Sequence, residues 1–270
     1  MKKQFVKINQ KIKIYLQKLV CPSDSERREK RPLYIFNSLS IYNGEWKGNK
    51  KDGFGIQKWI DGAKYEGEWD NNKPTGKGKF YYADGDVFDG IWKNGKANGY
   101  GVYIYSNGVK YEGEWKDDLQ HGKGKETWND GSVYEGEYFN GQIQGQGNYK
   151  WPDGSFYNGE WKNNKINGQG IFEWKDGRVY KGQWLNNNMH GNGIYKWKDG
   201  RYYQGQYYYD KKHGKGIYMW ADGRKYNGEW ENGKQHGKGI YTLADGTILY
   251  GIWEDGKKIE WVDDFTQKNS

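Results

Sequence analysis

The chain has 270 residues, of which 34% are hydrophobic, 18% are aromatic and 42 are glycine. Its mean hydropathy of −1.21 is as low as that of many disordered proteins, but disordered chains are poor in aromatic residues because they bury little surface. The single cysteine, Cys21, excludes a disulfide framework and an all-cysteine metal site. The composition therefore predicts short strands and tight turns, with aromatic rings supplying the buried surface.

The net charge of +8 is concentrated at the start of the chain. Residues 1–36 carry ten Lys or Arg against three acidic residues, hence +7, whereas residues 37–270 carry 33 against 32, hence +1. Because electrostatic attraction follows local charge, any affinity for an anionic partner is expected from the first residues. No run approaches the roughly 20 apolar residues that a transmembrane helix needs.

Residues 1–31 are predicted to form a basic tail, with an amphipathic helix and then a charged linker from Pro22 to Arg31. The tail residues singled out as a membrane or partner contact are apolar at helical spacing, with lysines between them: Phe5, Ile8 and Ile12, and Lys3, Lys7, Lys11, Lys13 and Lys18. Such a helix can lie on an anionic membrane through residues 1–20, or dock on a protein. Both alternatives stay open, as does a short strand, since residues 11–16 alternate. Mitochondrial import is disfavoured, though left open, because the first 23 residues contain no Arg.

Residues 32–39 are predicted to be an N-terminal capping half-repeat. The segment from Leu33 to Phe36 lies one period before Ile56 to Trp59 and keeps its aromatic positions. Pro32 suits the edge of a sheet because proline has no N–H to donate to a further strand.

Residues 40–256 contain about ten copies of a 23-residue repeat without an insertion or deletion. The copies share the pattern Tyr-x-Gly-x-Trp, with Phe88 and Leu249 in place of Tyr, and Tyr138 and Tyr207 in place of Trp. Nine copies then contain Gly-x-Gly, and nine contain Asp-Gly or Asn-Gly. The glycine of the first motif is invariant and is predicted to be structural, for example at Gly67, Gly113, Gly159, Gly182 and Gly228.

Each copy is predicted to form two strands. Tyr65, Gly67 and Trp69 share one face of the first strand, and Glu66 and Glu68 the other. A polar loop, residues 70–75, is expected next, then a second strand, residues 78–82, with further aromatic residues on the ring face. The Asp-Gly pair is expected to form a type I′ turn.

A lone hairpin is unstable in water, so the copies are expected to stack. The predicted fold is all-β: an elongated single-layer antiparallel sheet of stacked hairpins, roughly 100 Å long before twist. Residues 257–270 are expected to be a C-terminal cap and tail.

The three motifs in register resemble the MORN (membrane occupation and recognition nexus) repeat, over about residues 40–255. Proteins with such arrays include junctophilins, phosphatidylinositol phosphate kinases, a histone methyltransferase and radial spoke head proteins. Only 17 residues follow Trp253, too few for a kinase or methyltransferase domain, so the resemblance implies a stand-alone scaffold rather than an enzyme.

Three recurrent features of the repeat resemble parts of chemical sites, but none of them is predicted to form one. His121, His190, His213 and His236 share one repeat position, but equivalent positions lie about 10 Å apart, too far for one zinc ion. The recurring glutamates form a row on an open surface, and Gly-x-Gly opens a strand rather than a phosphate-binding helix. No catalytic, metal or cofactor site is predicted.

The aromatic face is the predicted partner-binding surface, since a single layer covers only part of its rings. A groove there would accept a helix or an extended peptide; its candidate residues are Tyr65, Trp69, Tyr111, Trp115, Tyr157, Trp161, Trp174, Trp197 and Trp220. Nucleic acid is not expected as a partner, because the array is nearly neutral.

The expected function is a non-enzymatic scaffold or spacer in a cytoplasmic, cytoskeletal or ciliary assembly, of the radial-spoke type. The protein is expected to be part of a large complex or a homo-oligomer. The alternative is a phosphoinositide or anionic-membrane tether acting through the basic tail.

Overall fold

The computed structural model describes residues 26–265, which contain 22 β-strands and no helix. The chain divides into two compact units. The first contains the described residues up to Asn129 together with Tyr138–Gly141, and the second contains Asp130–Glu137 and the described residues from Gln142 onward. No helix within the described part is long and apolar enough to cross a bilayer.

The first unit contains ten complete strands. They are β1 (Arg28–Lys30), β2 (Tyr34–Ile35), β3 (Ile41–Lys47), β4 (Lys50–Lys58), β5 (Lys64–Asp70), β6 (Lys73–Tyr81), β7 (Val87–Lys93), β8 (Lys96–Ile104), β9 (Lys110–Lys116) and β10 (Leu119–Thr127). Strand β11 (Val133–Phe139) contributes residues to both units.

The second unit contains eleven complete strands. They are β12 (Gln142–Lys150), β13 (Phe156–Lys162), β14 (Lys165–Glu173), β15 (Val179–Leu185), β16 (Asn188–Lys196), β17 (Tyr202–Tyr208), β18 (Lys211–Met219), β19 (Lys225–Glu231), β20 (Lys234–Thr242), β21 (Ile248–Glu254) and β22 (Lys257–Val262).

Within each unit the strands form antiparallel pairs in chain order. Strand β5 pairs with β6 inside one repeat, and β6 pairs with β7 of the next repeat, and the same alternation continues through β13–β20. The predicted class, an all-β antiparallel sheet of stacked hairpins, is confirmed.

The two-residue hairpin turns lie where a polar loop was expected. Asp70 pairs with Lys73, so only Asn71 and Asn72 form the turn. Their φ angles are 47° and 70°, and a type I′ turn requires positive φ at both central residues. The second strand therefore begins at Lys73, because an Asn-Asn pair tolerates the left-handed region well enough to close a tight turn.

The prediction of a type I′ turn at Asp-Gly was wrong. At Asp61-Gly62 only Gly62 has positive φ, +95°. The Trp59 N–H donates to the carbonyl of Ala63 and the Gly62 N–H to that of Trp59, which closes a three-residue loop. The Asp61 carboxylate instead accepts the Ala63 N–H at 3.0 Å, so aspartate stabilises the loop through its side chain.

Two short strands cover the free side of the first repeat strand. Strands β1 and β2 both pair with β3, with Arg28 opposite Lys47 and Tyr34 opposite Tyr42. The Arg28 guanidinium also lies 2.7 Å from the Asp52 carboxylate. Arg28–Lys30 is thus a strand rather than part of the expected linker, because its backbone N–H and C=O groups find partners on β3.

The last strand departs from the repeat. Glu260 stands where the other copies have the positive-φ glycine of Gly-x-Gly, such as Gly237. Gly251 consequently pairs with Trp261, whereas the equivalent Gly228 pairs with a glycine. The centroid of the Trp261 ring then lies 5.7 Å from that of Trp253, so Trp261 covers the tryptophan of the last repeat.

Candidate functional site

The tyrosine of each repeat lies flat on a floor of two glycines. A Cβ placed on Gly78 would be 2.1 Å from the Tyr65 hydroxyl oxygen, and one on Gly67 would be 2.5 Å from the Gly78 Cα. The Tyr65 hydroxyl donates to the Glu68 carbonyl at 3.0 Å, and the side chain is fully buried. Burial also raises the pKa of the Tyr65 hydroxyl well above its ordinary value. A Cβ would meet similarly close atoms, at 2.5 or 2.6 Å, at Gly113, Gly159, Gly182 and Gly228, so a side chain has no room at these positions.

Each tryptophan joins two tyrosines in one aromatic column. The Trp69 ring meets those of Tyr42 and Tyr65 edge-on, at 5.6 and 5.0 Å between centroids. Its Nε1–H donates to the Gly55 carbonyl at 3.0 Å, in the preceding repeat. This arrangement buries the rings and links neighbouring hairpins without a second layer of structure.

Six of the nine candidate groove residues belong to this column and are at most 8% exposed: Tyr65, Trp69, Tyr111, Trp115, Tyr157 and Trp161. They cannot line an open groove, which corrects the prediction for them. The physical reason is that the glycine floor lets the rings lie against the sheet, where their neighbours cover them. Trp174, Trp197 and Trp220 are only half-buried, and partner contact there stays a prediction.

Trp174, Trp197 and Trp220 form what we call the tryptophan row, on the ring face of the second unit. The rings alternate with tyrosines: Trp197 lies 4.4 Å from Tyr195 and 5.7 Å from Tyr218, centroid to centroid. The row therefore consists of half-buried indole rings that are joined by buried tyrosines.

An arginine lies over each tryptophan of this row. The guanidinium carbons of Arg178, Arg201 and Arg224 lie 5.2, 5.4 and 5.6 Å from the centroids of Trp174, Trp197 and Trp220, respectively. Aspartates two residues earlier hold them; in one case the Arg201 Nε–H donates to Asp199 at 2.8 Å. That hydrogen bond also keeps the pKa of the Asp199 carboxyl below its usual value. The exposed aromatic surface thus carries fixed cationic groups, which sequence spacing alone did not reveal.

A lysine ammonium is enclosed by aromatic rings in the second unit. The Lys212 Nζ lies 4.4 Å from the Tyr218 centroid, 4.9 Å from Trp230, 5.3 Å from Tyr203 and 5.5 Å from Trp197. Burial lowers the pKa of Lys212 to about 8, because desolvation disfavours the ammonium form.

Lys51 repeats this arrangement in the first unit, seven periods earlier in the sequence. Its Nζ lies 3.8 Å from the Trp69 centroid, and burial again lowers the pKa to about 8. Other copies place apolar residues such as Ala97 and Ile166 at this position. Sequence reasoning missed both lysines, although a charge at a position that is uncharged in most other copies was the available signal.

The recurring glutamates complete a β-bulge. Gly67 pairs with Gly78 and Glu68 with Thr75, so Gly76 and Lys77 are additional residues in the second strand, and Gly76 has φ +56°. The Glu68 carboxylate accepts the Lys77 N–H at 3.0 Å. Gln183 and Gln206 accept the equivalent N–H groups at 2.7 and 2.9 Å. Where the side chain is polar it therefore acts as a hydrogen-bond acceptor and needs no negative charge, whereas Ile91 and Ile252 take the same position in two other repeats.

The histidines do not meet at a common centre. No group of three or more His, Cys, Asp or Glu side chains within residues 26–265 could hold a metal ion. His190 instead packs on exposed Tyr208 and Tyr209, with centroids 5.4 and 5.0 Å apart. His213 also lies 5.7 Å from Tyr208. These contacts place the histidines at the hairpin ends as packing residues.

The tail residues predicted to contact a membrane or a partner lie outside the described part of the chain, so their prediction stands as made. They are Lys3, Phe5, Lys7, Ile8, Lys11, Ile12, Lys13 and Lys18.

Hairpins of fixed length, stacked with their rings on one face, define a class of β-repeat protein. The MORN repeat profile matches nine segments: residues 42–64, 65–87, 88–110, 111–133, 134–156, 157–177, 180–200, 203–223 and 226–248. The chain therefore belongs to the MORN repeat family, a family of non-catalytic repeats.

Similarity to individual proteins is limited. No curated protein matches the chain in sequence. The TCP10 domain of Danio rerio CPAP, in its E1021V mutant, is 11% identical, with a TM-score of 0.41, over 80% of this chain and 95% of that one. The Drosophila melanogaster SAS-4 TCP domain, solved with a proline-rich motif of Ana2, is 10% identical, with a TM-score of 0.33, over 65% and 83%.

Proposed function

We propose that this protein is a non-enzymatic scaffold that binds protein partners along the tryptophan row. The observation that carries the proposal is the contrast on one face: most column rings are buried, whereas Trp174, Trp197 and Trp220 stay half-exposed beneath arginines. Tryptophan and arginine are the residues most enriched at binding hot spots. An extended peptide or a helix could pack its apolar side on these rings.

Site-specific photocrosslinking tests this surface. A photoreactive amino acid at position 197 is expected to yield crosslinked partner proteins in the cells that express the protein. The control places it at Tyr100, which is 55% exposed on the opposite face of the first unit. The proposal fails if position 197 yields no more crosslinked protein than position 100.

We place the scaffold in a cytoskeletal or ciliary assembly, of the radial-spoke type. The support for this location is the resemblance to stand-alone MORN arrays. Imaging of the tagged protein, with detergent extraction, should leave it on the cytoskeleton or axoneme. Full extraction into the soluble fraction would contradict this assignment.

A membrane tether is the second candidate, favoured by the charge of +7 in residues 1–36. Flotation with vesicles containing anionic lipid separates the two functions. The comparison is the full chain against a chain lacking residues 1–25, which keeps β1 intact. Salt-sensitive flotation that needs the tail supports a tether, whereas no flotation of either chain supports the scaffold alone.

A further inference from the structure

A hollow of about 740 Å³ lies on the face opposite the rings, across strands β14–β19. Its floor is backbone and aliphatic surface: glycines such as Gly193 and Gly205, with Ile194 and Ile217 between them. The polar side chains that line it are Gln169, Lys181, Gln183, Asn192, Gln204, Lys215 and Asn227. We call it the amide hollow.

The amide hollow contains no carboxylate among its lining residues. Gln183 lines it where other repeats have the bulge glutamate, and Gln206 makes the same substitution one repeat later. Both amides keep the bulge hydrogen bond, so the exchange removes two negative charges without a structural cost. Lys181 likewise stands where equivalent strands have Asn, Glu, Asp or Gln.

The same face of the first unit is differently charged. Glu66, Glu68, Glu112 and Glu114 occupy the equivalent strand positions there. The lining of the hollow thus has two lysines and no carboxylate, and the carboxylates of Glu160 and Glu229 lie only at its borders. Complementarity then favours a ligand with negative groups.

The shape and chemistry select among anionic ligands. The Gln183 oxygen accepts the Asn192 N–H, so this amide has only its N–H groups to offer a ligand, as donors. Glycines on the floor allow close approach of another backbone, and Ile194 and Ile217 offer apolar contact. Nucleic acid would need denser cationic charge and stacking rings, and none of the lining residues is aromatic.

We propose that the amide hollow binds an extended acidic segment of a protein partner. Its carboxylates would pair with Lys181 and Lys215 and accept from the side-chain amides, while its aliphatic side chains would cover Ile194 and Ile217. The surface is separate from the tryptophan row because it lies on the other face of the sheet. The proposal therefore stands or falls independently of the proposed scaffold function.

The test is fluorescence anisotropy of the full chain with a labelled peptide of alternating Glu and Val, about 12 residues or roughly 40 Å when extended. We expect binding that weakens as salt is added. The double variant Gln183→Glu/Gln206→Glu should bind about tenfold more weakly, because it restores two carboxylates. Glutamate is the residue that other repeats have at these positions, so this variant should fold.

A second variant and a matched control complete the design. Lys181→Glu/Lys215→Glu should also lose about tenfold in affinity. Lys123→Glu, at the position equivalent to Lys215 in the first unit, should leave affinity unchanged. The proposal is overturned if the chain does not bind at millimolar peptide, if the variants bind equally, or if a Gln-Val peptide binds as well. Stronger binding to anionic vesicles or single-stranded RNA would also overturn it if the Lys181→Glu/Lys215→Glu variant loses that binding, since this would assign the hollow to another ligand.

Discussion

At the scale of single residues, glycine and tyrosine act as a pair in this protein. Tyr157 is fully buried on the face of a single sheet because Gly159 and Gly170 leave room for its ring. Phe88 occupies the same position in another repeat and is 1% exposed, so the ring matters more than the hydroxyl. The repeat thus obtains buried apolar area without a second layer.

Gly170→Ala should lower the free energy of unfolding by roughly 3 kcal/mol, since its Cβ would lie within the Tyr157 ring's space. The distance to the hydroxyl oxygen would be 2.2 Å. Guanidinium denaturation measures the change. The control, Gly154→Asn, keeps a residue tolerant of positive φ in open space and should cost under about 1 kcal/mol. Equal losses would refute the steric explanation.

The enclosed ammonium of Lys212 should make stability depend on pH. Its pKa of about 8 lies below the ordinary 10.5, so between these values the unfolded chain binds more protons than the folded chain. Stability contributed by this group therefore rises with pH across that window. Lys212→Met, with the residue found at equivalent Met189, should be more stable than the wild type by roughly 2 kcal/mol near pH 7.

That advantage should shrink as pH rises from about 8 to 10.5, because the lysine is neutral in both states only above the upper value. Denaturation of the two proteins at several pH values measures the difference, which cancels the titration of the remaining groups. A difference that does not change with pH would show that Lys212 keeps its ordinary pKa.

At the scale of the element, the hairpin turn determines where each strand begins. Paired positive-φ residues such as Asn163-Asn164 close β13 to β14. The second turn residue also ties the hairpin to its predecessor: the Asn164 side chain accepts the Ile143 N–H at 2.8 Å. The turn therefore fixes both strand length and the contact between repeats.

Tyr209 is the exception among these turns. It has φ +45°, where the other hairpins have Asn, Asp or Gly. Tyr209→Asn should raise the free energy of unfolding by about 1 kcal/mol, because a bulky residue is strained in this region. Thermal and guanidinium unfolding test the change, with Asn232→Ala as the opposite control, expected to destabilise. A loss on Tyr209→Asn would mean that its contact with His190 outweighs the strain.

At the scale of the whole molecule, the hairpins of each unit contact their neighbours in sequence, so stability is expected to be a sum over repeats. Deleting residues 88–110 removes one full period and brings Val87 before Tyr111, the same kind of junction as before. The shortened protein should fold, with its denaturant m-value lower by about a tenth. Circular dichroism per residue should be unchanged.

Deleting residues 88–98 instead breaks the period and is the control. It removes most of β7 and the start of β8, so the rest of β8 would have to take the place of β7, with Gly99 where the buried ring of Phe88 had been. We expect a large loss of cooperative unfolding. If both deletions behave alike, the repeat is not the unit of stability.

The sequence by itself determined the strand class, the period and the invariant glycines, because strict alternation and a constant 23-residue spacing admit one stacking pattern. The geometry of the turns was harder to predict, because an Asp-Gly pair can form either a two-residue type I′ turn or a three-residue loop. Which loop forms depends on hydrogen bonds such as that from the Trp59 N–H to the Ala63 carbonyl. The repeat pattern also does not say how exposed the side chain at each of its positions is.

Only the tertiary structure decided which aromatic rings are exposed to solvent. Trp161 and Trp174 are both aromatic positions of one repeat, yet Trp161 is 8% exposed and Trp174 is half-buried. The difference arises because Trp161 packs between the tyrosines of two hairpins. Trp174 instead follows the end of β14, at the Asp176-Gly177 loop. How far a ring is buried on a single sheet depends on the side chains of the neighbouring strands. It therefore cannot be read from one repeat alone, because the strands before and after it belong to other repeats.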